Sequence, residues 1–188
     1  MTAADHYCHE PDGSTRTGSP LPAVVFPGSF NPLHDGHTTL AEVAARVLGL
    51  PVAFELSTAN VDKPGLAADE VTRRVAQFRG HAPVWVTRAA TFARKAELFP
   101  GATFVVGFDT AVRLIDPKYY GGDPALRDAG LRTLLDRDCR VLVGGRMVGE
   151  GFRVWEAALV GEEFRTLFTT LGEDDFRRDR SSTELRNR

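Results

Sequence analysis

The chain has 188 residues, 43% of them hydrophobic and 26% charged, with 23 Lys and Arg against 25 Asp and Glu for a net charge of −2. A chain of this length buries about 70% of its unfolded surface, enough for a core and a ligand cleft without metal or disulfide staples. The near balance of charge excludes a global positive field for duplex nucleic acid or an anionic membrane, so any phosphate binding has to be local.

Residues 1–20 are rich in Ser, Thr, Gly, Asp and Pro and lack periodicity, which predicts a flexible N-terminal arm ahead of a single domain over residues 21–188. His6, Cys8 and His9 could supply half of a metal site, but no partner pair follows them. Ala23 to Phe26 form an apolar run that stops at Pro27 and Gly28, as a buried parallel strand does. From His37, Leu40, Val43, Ala44, Val47 and Leu48 recur at helical spacing, and Gly49 with Pro51 closes that helix.

A strand at Val52 to Leu56, a polar loop through Lys63 and a helix from about Ala67 to Phe78 come next. The alternation repeats with a strand at Val84 to Val86, a helix at Thr91 to Leu98, a strand at Thr103 to Val106 and a helix at Asp109 to Leu114. Pro124 to Leu135 predicts another helix and Arg140 to Val143 a fifth strand ending at Gly144 and Gly145. Phe152 to Leu159 is compatible with strand or helix, and the spacing over Glu162 to Leu171 predicts a helix. No run reaches the roughly 18 apolar residues of a membrane span. Cys8 and Cys139 fit no paired framework and are expected as reduced thiols of a cytoplasmic protein.

This rhythm implies right-handed βαβ units and an α/β, Rossmann-like, doubly wound parallel sheet. Ligands of such sheets bind beyond the carboxyl ends of the strands, where the strand order reverses, which directs attention to the loop after the first strand. That loop reads Pro27-Gly28-Ser29-Phe30-Asn31-Pro32-Leu33-His34-Asp35-Gly36-His37. Gly28 permits close backbone approach, the helix start offers free N–H groups and partial positive charge, and His34 and His37 can aim imidazole N–H donors at one polyphosphate across Gly36. Zinc ligation by the same two histidines lacks a third ligand. Near the C-terminus, Arg180-Ser181-Ser182-Thr183-Glu184-Leu185-Arg186 matches a capping box and also an anion site of hydroxyls with an Arg one turn inside.

The stretch from Gly28 to His37 resembles the signature of the HxGH nucleotidylyltransferase superfamily, and its Phe-Asn-Pro form is most like nicotinamide or nicotinate mononucleotide adenylyltransferases. Residues 181–186 resemble that superfamily's second motif, Ile-Ser-Ser-Thr-x-x-Arg, with Arg180 in place of the first apolar residue. The resemblance implies transfer of AMP from ATP to a pyridine mononucleotide, with His34, His37 and Arg186 catalytic and Mg2+ held by substrate phosphates. It also implies ATP or phosphate contacts at Gly28, Ser29, Phe30, Gly36, Lys63, Gly107, Asp109, Ser181, Ser182 and Thr183. Lys63 belongs to a Lys-x-Gly-Leu-like segment followed by Arg73 and Arg74, which read more simply as helix surface. Gly107-Phe108-Asp109 resembles the family's nucleotide-holding Gly-x-Asp, and Asp109 would also serve as a helix cap.

Acceptor contacts fall on Asn31, Thr91, Phe92 and Trp85, with Trp85 favoured as a core side chain. Cytidylyl or adenylyl transfer to another small phosphate acceptor, and nucleotide binding or hydrolysis without transfer, are the alternatives. The expected partners are ATP and a small phosphorylated acceptor, without nucleic acid or membrane; homo-oligomerisation is compatible with the sequence. The Arg177, Arg178, Arg180 cluster reads as a solvated face.

Overall fold

A computed structural model describes residues 6–59, 64–148, 151–156 and 160–175. Short apolar runs, each stopped by Pro, Gly or a polar turn, become β3 (Val24–Pro27), β4 (Ala53–Ser57), β5 (Val84–Thr87), β6 (Thr103–Gly107) and β7 (Arg140–Gly144). The helices between them are α1 (Asp35–Leu48), α2 (Ala68–Val75), α3 (Phe92–Leu98), α4 (Phe108–Ile115) and α5 (Pro124–Asp136). Each agrees with its predicted position to within a few residues. Val71 and Val75 give α2 its inward stripe, and a single 3-10 turn, Ala76–Phe78, extends it.

Two short strands at the N-terminus, β1 (His6–His9) and β2 (Thr15–Arg16), precede these, and β10 (Phe168–Leu171) follows them. Together they make one eight-stranded sheet in the order β10-β7-β6-β3-β4-β5-β1-β2. The pairs from β10 to β5 are parallel, whereas β5 with β1 and β1 with β2 are antiparallel. The chain steps outward from β3 to β4 and β5, then returns to lay β6 on the other side of β3. Strand order therefore reverses between β3 and β6, and in sheets of this kind the crevice beyond the carboxyl ends at such a reversal is where ligands bind.

The sheet is covered on both faces. Leu40, Val43 and Ala44 of α1, with Val71 and Val75 of α2, pack over Phe26, Phe54 and Val105. On the opposite face Ala96, Ala111, Leu131 and Leu134 from α3, α4 and α5 pack over Val25, Phe104 and Val141. No helix among the described residues is long and apolar enough to cross a membrane.

Two segments differ from the sequence expectation. Within the predicted flexible arm, His6–His9 and Thr15–Arg16 are part of the sheet: Cys8 pairs with Trp85 and His9 with Val84 across β5, and the Cys8 side chain is buried. Tertiary pairing with an open sheet edge supplies what local composition lacks. The same pleat sends Cys8 and His9 to opposite faces, so the three side chains do not converge, and His9 Nδ1 bonds Thr15 Oγ1 at 2.9 Å.

The second difference is Glu162 to Leu171, which is a 3-10 helix over Glu162–Leu167 followed by strand β10. Ahead of it, β8 (Arg146–Val148) and β9 (Gly151–Arg153) form a separate antiparallel hairpin, resolving the strand-or-helix ambiguity at Phe152 as strand. Both cysteines are free and buried, and burial first, then the charge of Glu10, pushes the Cys8 thiol up to about 11.

Candidate active site

β3 ends at Pro27, and the motif loop crosses the carboxyl end of the sheet to α1. Gly28 is fixed from two sides. Its N–H donates to the Glu55 carbonyl of β4 at 3.0 Å, and a Cβ there would come within 2.5 Å of the Phe30 ring. Packing against Phe30 thus requires a glycine here. Phe30 has a solvent exposure of 0% and packs edge-on to Phe26, Phe54 and Phe78, so its side chain is unavailable to a nucleotide. Its φ of 44° lies in the left-handed region, a strained conformation that persists only where the surroundings enforce it.

The loop places His34 at the N-cap of α1 and His37 at the third helical position. Their rings stack with centroids 3.7 Å apart and 27° between planes. The His34 backbone N–H donates to His37 Nδ1 at 3.3 Å, so His37 takes the part that Glu or Gln plays in a capping box. With Nδ1 accepting, the neutral imidazole carries its proton on Nε2, which leaves an N–H donor for a ligand. Burial first, and the charge of His34 second, lower the His37 pKa from its ordinary value near 6.5, so His37 is neutral at pH 7. A stacked pair at a helix N-terminus offers N–H donors and partial positive charge, the chemistry of a polyphosphate site.

Gly36 serves that pair. A Cβ on it would lie 3.1 Å from His34 Cε1 and 3.2 Å from Nδ1, close enough to push the imidazole aside by a few tenths of an ångström. Gly36→Ala is expected to leave the melting temperature unchanged or slightly raised, because alanine is the better helix former. Turnover should fall about tenfold through the displaced ring. A thermal melt beside a pyrophosphate-release assay checks both halves.

Across the crevice β6 ends at Gly107, the N-cap of α4, where an added Cβ would meet nothing within 4 Å. Asp109 is exposed in the first turn of α4. The expected room beside Gly107 is present, and the β3 and β6 ends bring the histidine loop and the Gly107–Asp109 turn to the same edge of the sheet.

The acceptor residues named from sequence do not converge. Trp85 is 3% exposed and packs edge-on to Phe99, on the face opposite α2, so it is a core residue and offers no stacking surface. Phe92 lies edge-on to Phe104 on that same face, and Thr91 is the N-cap of α3, its Oγ1 accepting from Arg94 N at 3.3 Å. Asn31 is exposed, but its Oδ1 accepts from Arg73 Nη2 at 2.6 Å. Lys63, Ser181, Ser182, Thr183 and Arg186 lie outside the described residues.

A cavity of about 510 Å³ opens instead between α2, the outer strands and the N-terminal hairpin. Tyr7, Val71, Val75 and Val86 are among its lining residues, with Glu10, Arg79 and Arg88. Its size falls within the range of small-molecule sites.

Two further features escaped the sequence reading. Arg74, expected at the helix surface, is 9% exposed and its Nη1 donates to the Ser29 carbonyl at 2.8 Å. Beside the motif strand, Lys95 Nζ donates to Glu55 Oε1 and Oε2 at 2.9 and 2.7 Å and to the Ala89 carbonyl at 2.7 Å. Thr87 Oγ1 donates to the same Glu55 Oε1 at 2.5 Å and accepts from Ala89 N at 3.1 Å, so a fully buried ionic network pins the β5–α3 turn to β4. Nothing local marks an Arg in a charged helix as buried, or a lone Glu in an apolar strand as paired.

A sequence model of the cytidylyltransferase-like family matches residues 25–188, from the β3 strand through the second motif. No curated protein matches the chain. With the HxGH residues at the start of α1, beside the reversal point of a doubly wound sheet, the chain belongs to the cytidylyltransferase-like family of the HxGH nucleotidylyltransferase superfamily.

Proposed function

We propose that the protein transfers the adenylyl group of ATP to the phosphate of a pyridine mononucleotide, releasing pyrophosphate. The observation that carries the transfer reading is the stacked His34–His37 pair at the α1 N-terminus, with His37 Nδ1 committed to the backbone and Nε2–H left as a donor. An oxygen of the acceptor phosphate attacks the α-phosphorus, the bond to the bridging oxygen breaks, and pyrophosphate leaves with the electron pair. No protein nucleophile takes part; positioning and charge stabilisation carry the reaction.

His34 and His37 donate to oxygens of the leaving pyrophosphate, where charge accumulates. Ser181, Ser182, Thr183, Arg186 and Lys63 are proposed to hold the same polyphosphate on the strength of their sequence motifs. The exposed carboxylate of Asp109 stands at the same edge of the sheet as the histidines, and ATP is taken to enter as its magnesium complex, whose charge would offset that of the phosphates. The choice of acceptor is supported by the cavity beside α2: a small organic phosphate with a flat ring fits apolar walls that include Tyr7, with Arg88 at the carboxyl end of β5 for its negative charge. Two buried, unpaired thiols suit the cytoplasm.

The test is pyrophosphate release with magnesium, crossing ATP and CTP against nicotinamide mononucleotide, nicotinate mononucleotide, pantetheine phosphate, glycerol phosphate and no acceptor. Release with ATP and a pyridine mononucleotide alone is expected, and Arg88→Ala should then raise the acceptor KM about tenfold or more while moving the ATP KM little. Release only with CTP, or only with a non-pyridine acceptor, would overturn the substrate assignment; nucleotide hydrolysis without an acceptor would overturn transfer itself.

A further inference from the structure

The face of α2 turned toward the motif loop carries Glu70, Arg73, Arg74 and Gln77, the last in the 3-10 turn that extends the helix. Gln77 Nε2 donates to the Phe30 carbonyl at 3.0 Å and to the Arg74 carbonyl at 3.1 Å, while its Oε1 accepts from Leu33 N at 2.9 Å. Reversing the amide would set its NH2 against the Leu33 N–H, so the orientation is dictated by the backbone it binds. Arg74 spreads its fork in two directions, Nε to Glu70 Oε1 at 2.7 Å and Nη1 to the Ser29 carbonyl at 2.8 Å. Arg73 adds the contact to Asn31 from a half-exposed side chain, with Glu70 holding it as well. Arg73 and then Arg74 hold the Glu70 carboxyl down at about 2, so the anchor stays ionised at any working pH.

We propose that Arg74 and Gln77 are positioning residues for nucleotidyl transfer, clamping the backbone of Ser29, Phe30 and Leu33 so that His34 and His37 are presented at the head of α1. Every contact they make with the loop is to main-chain atoms. The loop they grip contains the left-handed Phe30, whose carbonyl is oriented by Gln77 and whose ring is buried below, and it runs directly into the His34 N-cap. A strained loop held from one side by core packing and from the other by a helix gives the histidines a fixed base, and reaction rates are sensitive to misplacement of about 1 Å. The kinetic part of this inference rests on the transfer reading above; the geometric part does not.

Gln77→Leu keeps the bulk of the side chain and removes its donor and acceptor. Arg74→Lys keeps the charge beside Glu70, but a single ammonium cannot reproduce the fork that also reaches Ser29. The expected result is a kcat lower by about 10- to 100-fold for Gln77→Leu and less for Arg74→Lys, with the nucleotide KM within about threefold of wild type. Leu134→Ala, a core truncation in α5 on the opposite face, serves as a destabilised control with kcat per folded molecule unchanged.

The second readout is an NMR titration of the His37 imidazole. Its midpoint should move up toward the ordinary histidine value in Gln77→Leu, as the His34 N–H drifts from Nδ1, and stay put in Leu134→Ala. An unchanged kcat in folded Gln77→Leu, an equal kcat loss in Leu134→Ala, or a His37 titration identical to wild type in both clamp variants would overturn the proposal. The titration needs no substrate, so if wild-type protein transfers nothing, the transfer reading fails and the imidazole shift still decides the clamp. Should Gln77→Leu not fold, Arg74→Lys carries the same comparison.

Discussion

Replacing His37 with alanine is expected to lower turnover by about 10²- to 10³-fold, the scale of losing one preorganised donor to a charge that develops in the transition state. The same change removes the acceptor for the His34 N–H and the ring lying edge-on to Phe30, so some loss of stability goes with it. His37→Gln separates the two effects. Glutamine at the third helical position restores the capping-box acceptor, so its melting temperature should return to near wild type while turnover stays low. A His37→Gln protein with wild-type pyrophosphate release would end the assignment of His37 to catalysis.

The acid side of the stability curve gives an independent handle. His37 has a lowered pKa when folded, so the unfolded chain takes up its proton first as pH falls. Its contribution to stability is complete above about 6.5 and is lost as pH drops toward the folded value. His37→Gln should therefore lose less stability than wild type between pH 7 and pH 5, measured as the change in melting temperature.

Lys95→Met is expected to destabilise the protein by about 3 to 5 kcal/mol, because it leaves Glu55, 1% exposed, without a counter-charge in the core. For a chain of this length that is a fall in melting temperature of roughly 10 °C. Replacing both members, Glu55→Leu with Lys95→Met, removes the stranded charge along with its partner and should recover most of the loss, less the cost of a Thr87 hydroxyl proton left without its Glu55 acceptor. Thermal melts of the single and double variants decide it. Equal stability of Lys95→Met and wild type would mean that Glu55 is not held there as an anion.

Where chain order and hydropathy speak for themselves, the sequence and the structure agree: the alternation of short apolar runs with amphipathic helices implies a doubly wound parallel sheet and directs attention to the loop after its first parallel strand, and the strand order then sets that loop, with His34 and His37, beside the reversal between β3 and β6. The departures have physical causes. Phe164, Leu167, Phe168 and Leu171 have helical spacing, yet the first two face the core from a 3-10 turn, where a period of three serves as well. The last two flank the exposed Thr169 in β10 and are both buried. The strand His6–His9 has too little apolar character to announce itself and exists because β5 has an edge to pair with. The loop motif named the histidines, but the Phe30 ring proved to be a packing side chain. The residues that hold the loop, Arg74 and Gln77, lie 44 to 47 positions from the loop atoms they bind, beyond the reach of any local pattern. Glu55 and Lys95 are 40 positions apart and meet only once β4 and α3 are in place.

The N-terminal hairpin also bears on how the molecule behaves in a crowded solution. Without it the sheet would end in β5, a buried parallel strand of Val-Trp-Val-Thr whose open hydrogen-bonding groups would invite pairing with another chain. The hairpin converts that sticky margin into β2, a two-residue strand with both Thr15 and Arg16 exposed and a charge at its end. A short, charged edge is a poor template for intermolecular sheet growth, so the segment outside the family match doubles as a solubility device for the sheet it borders.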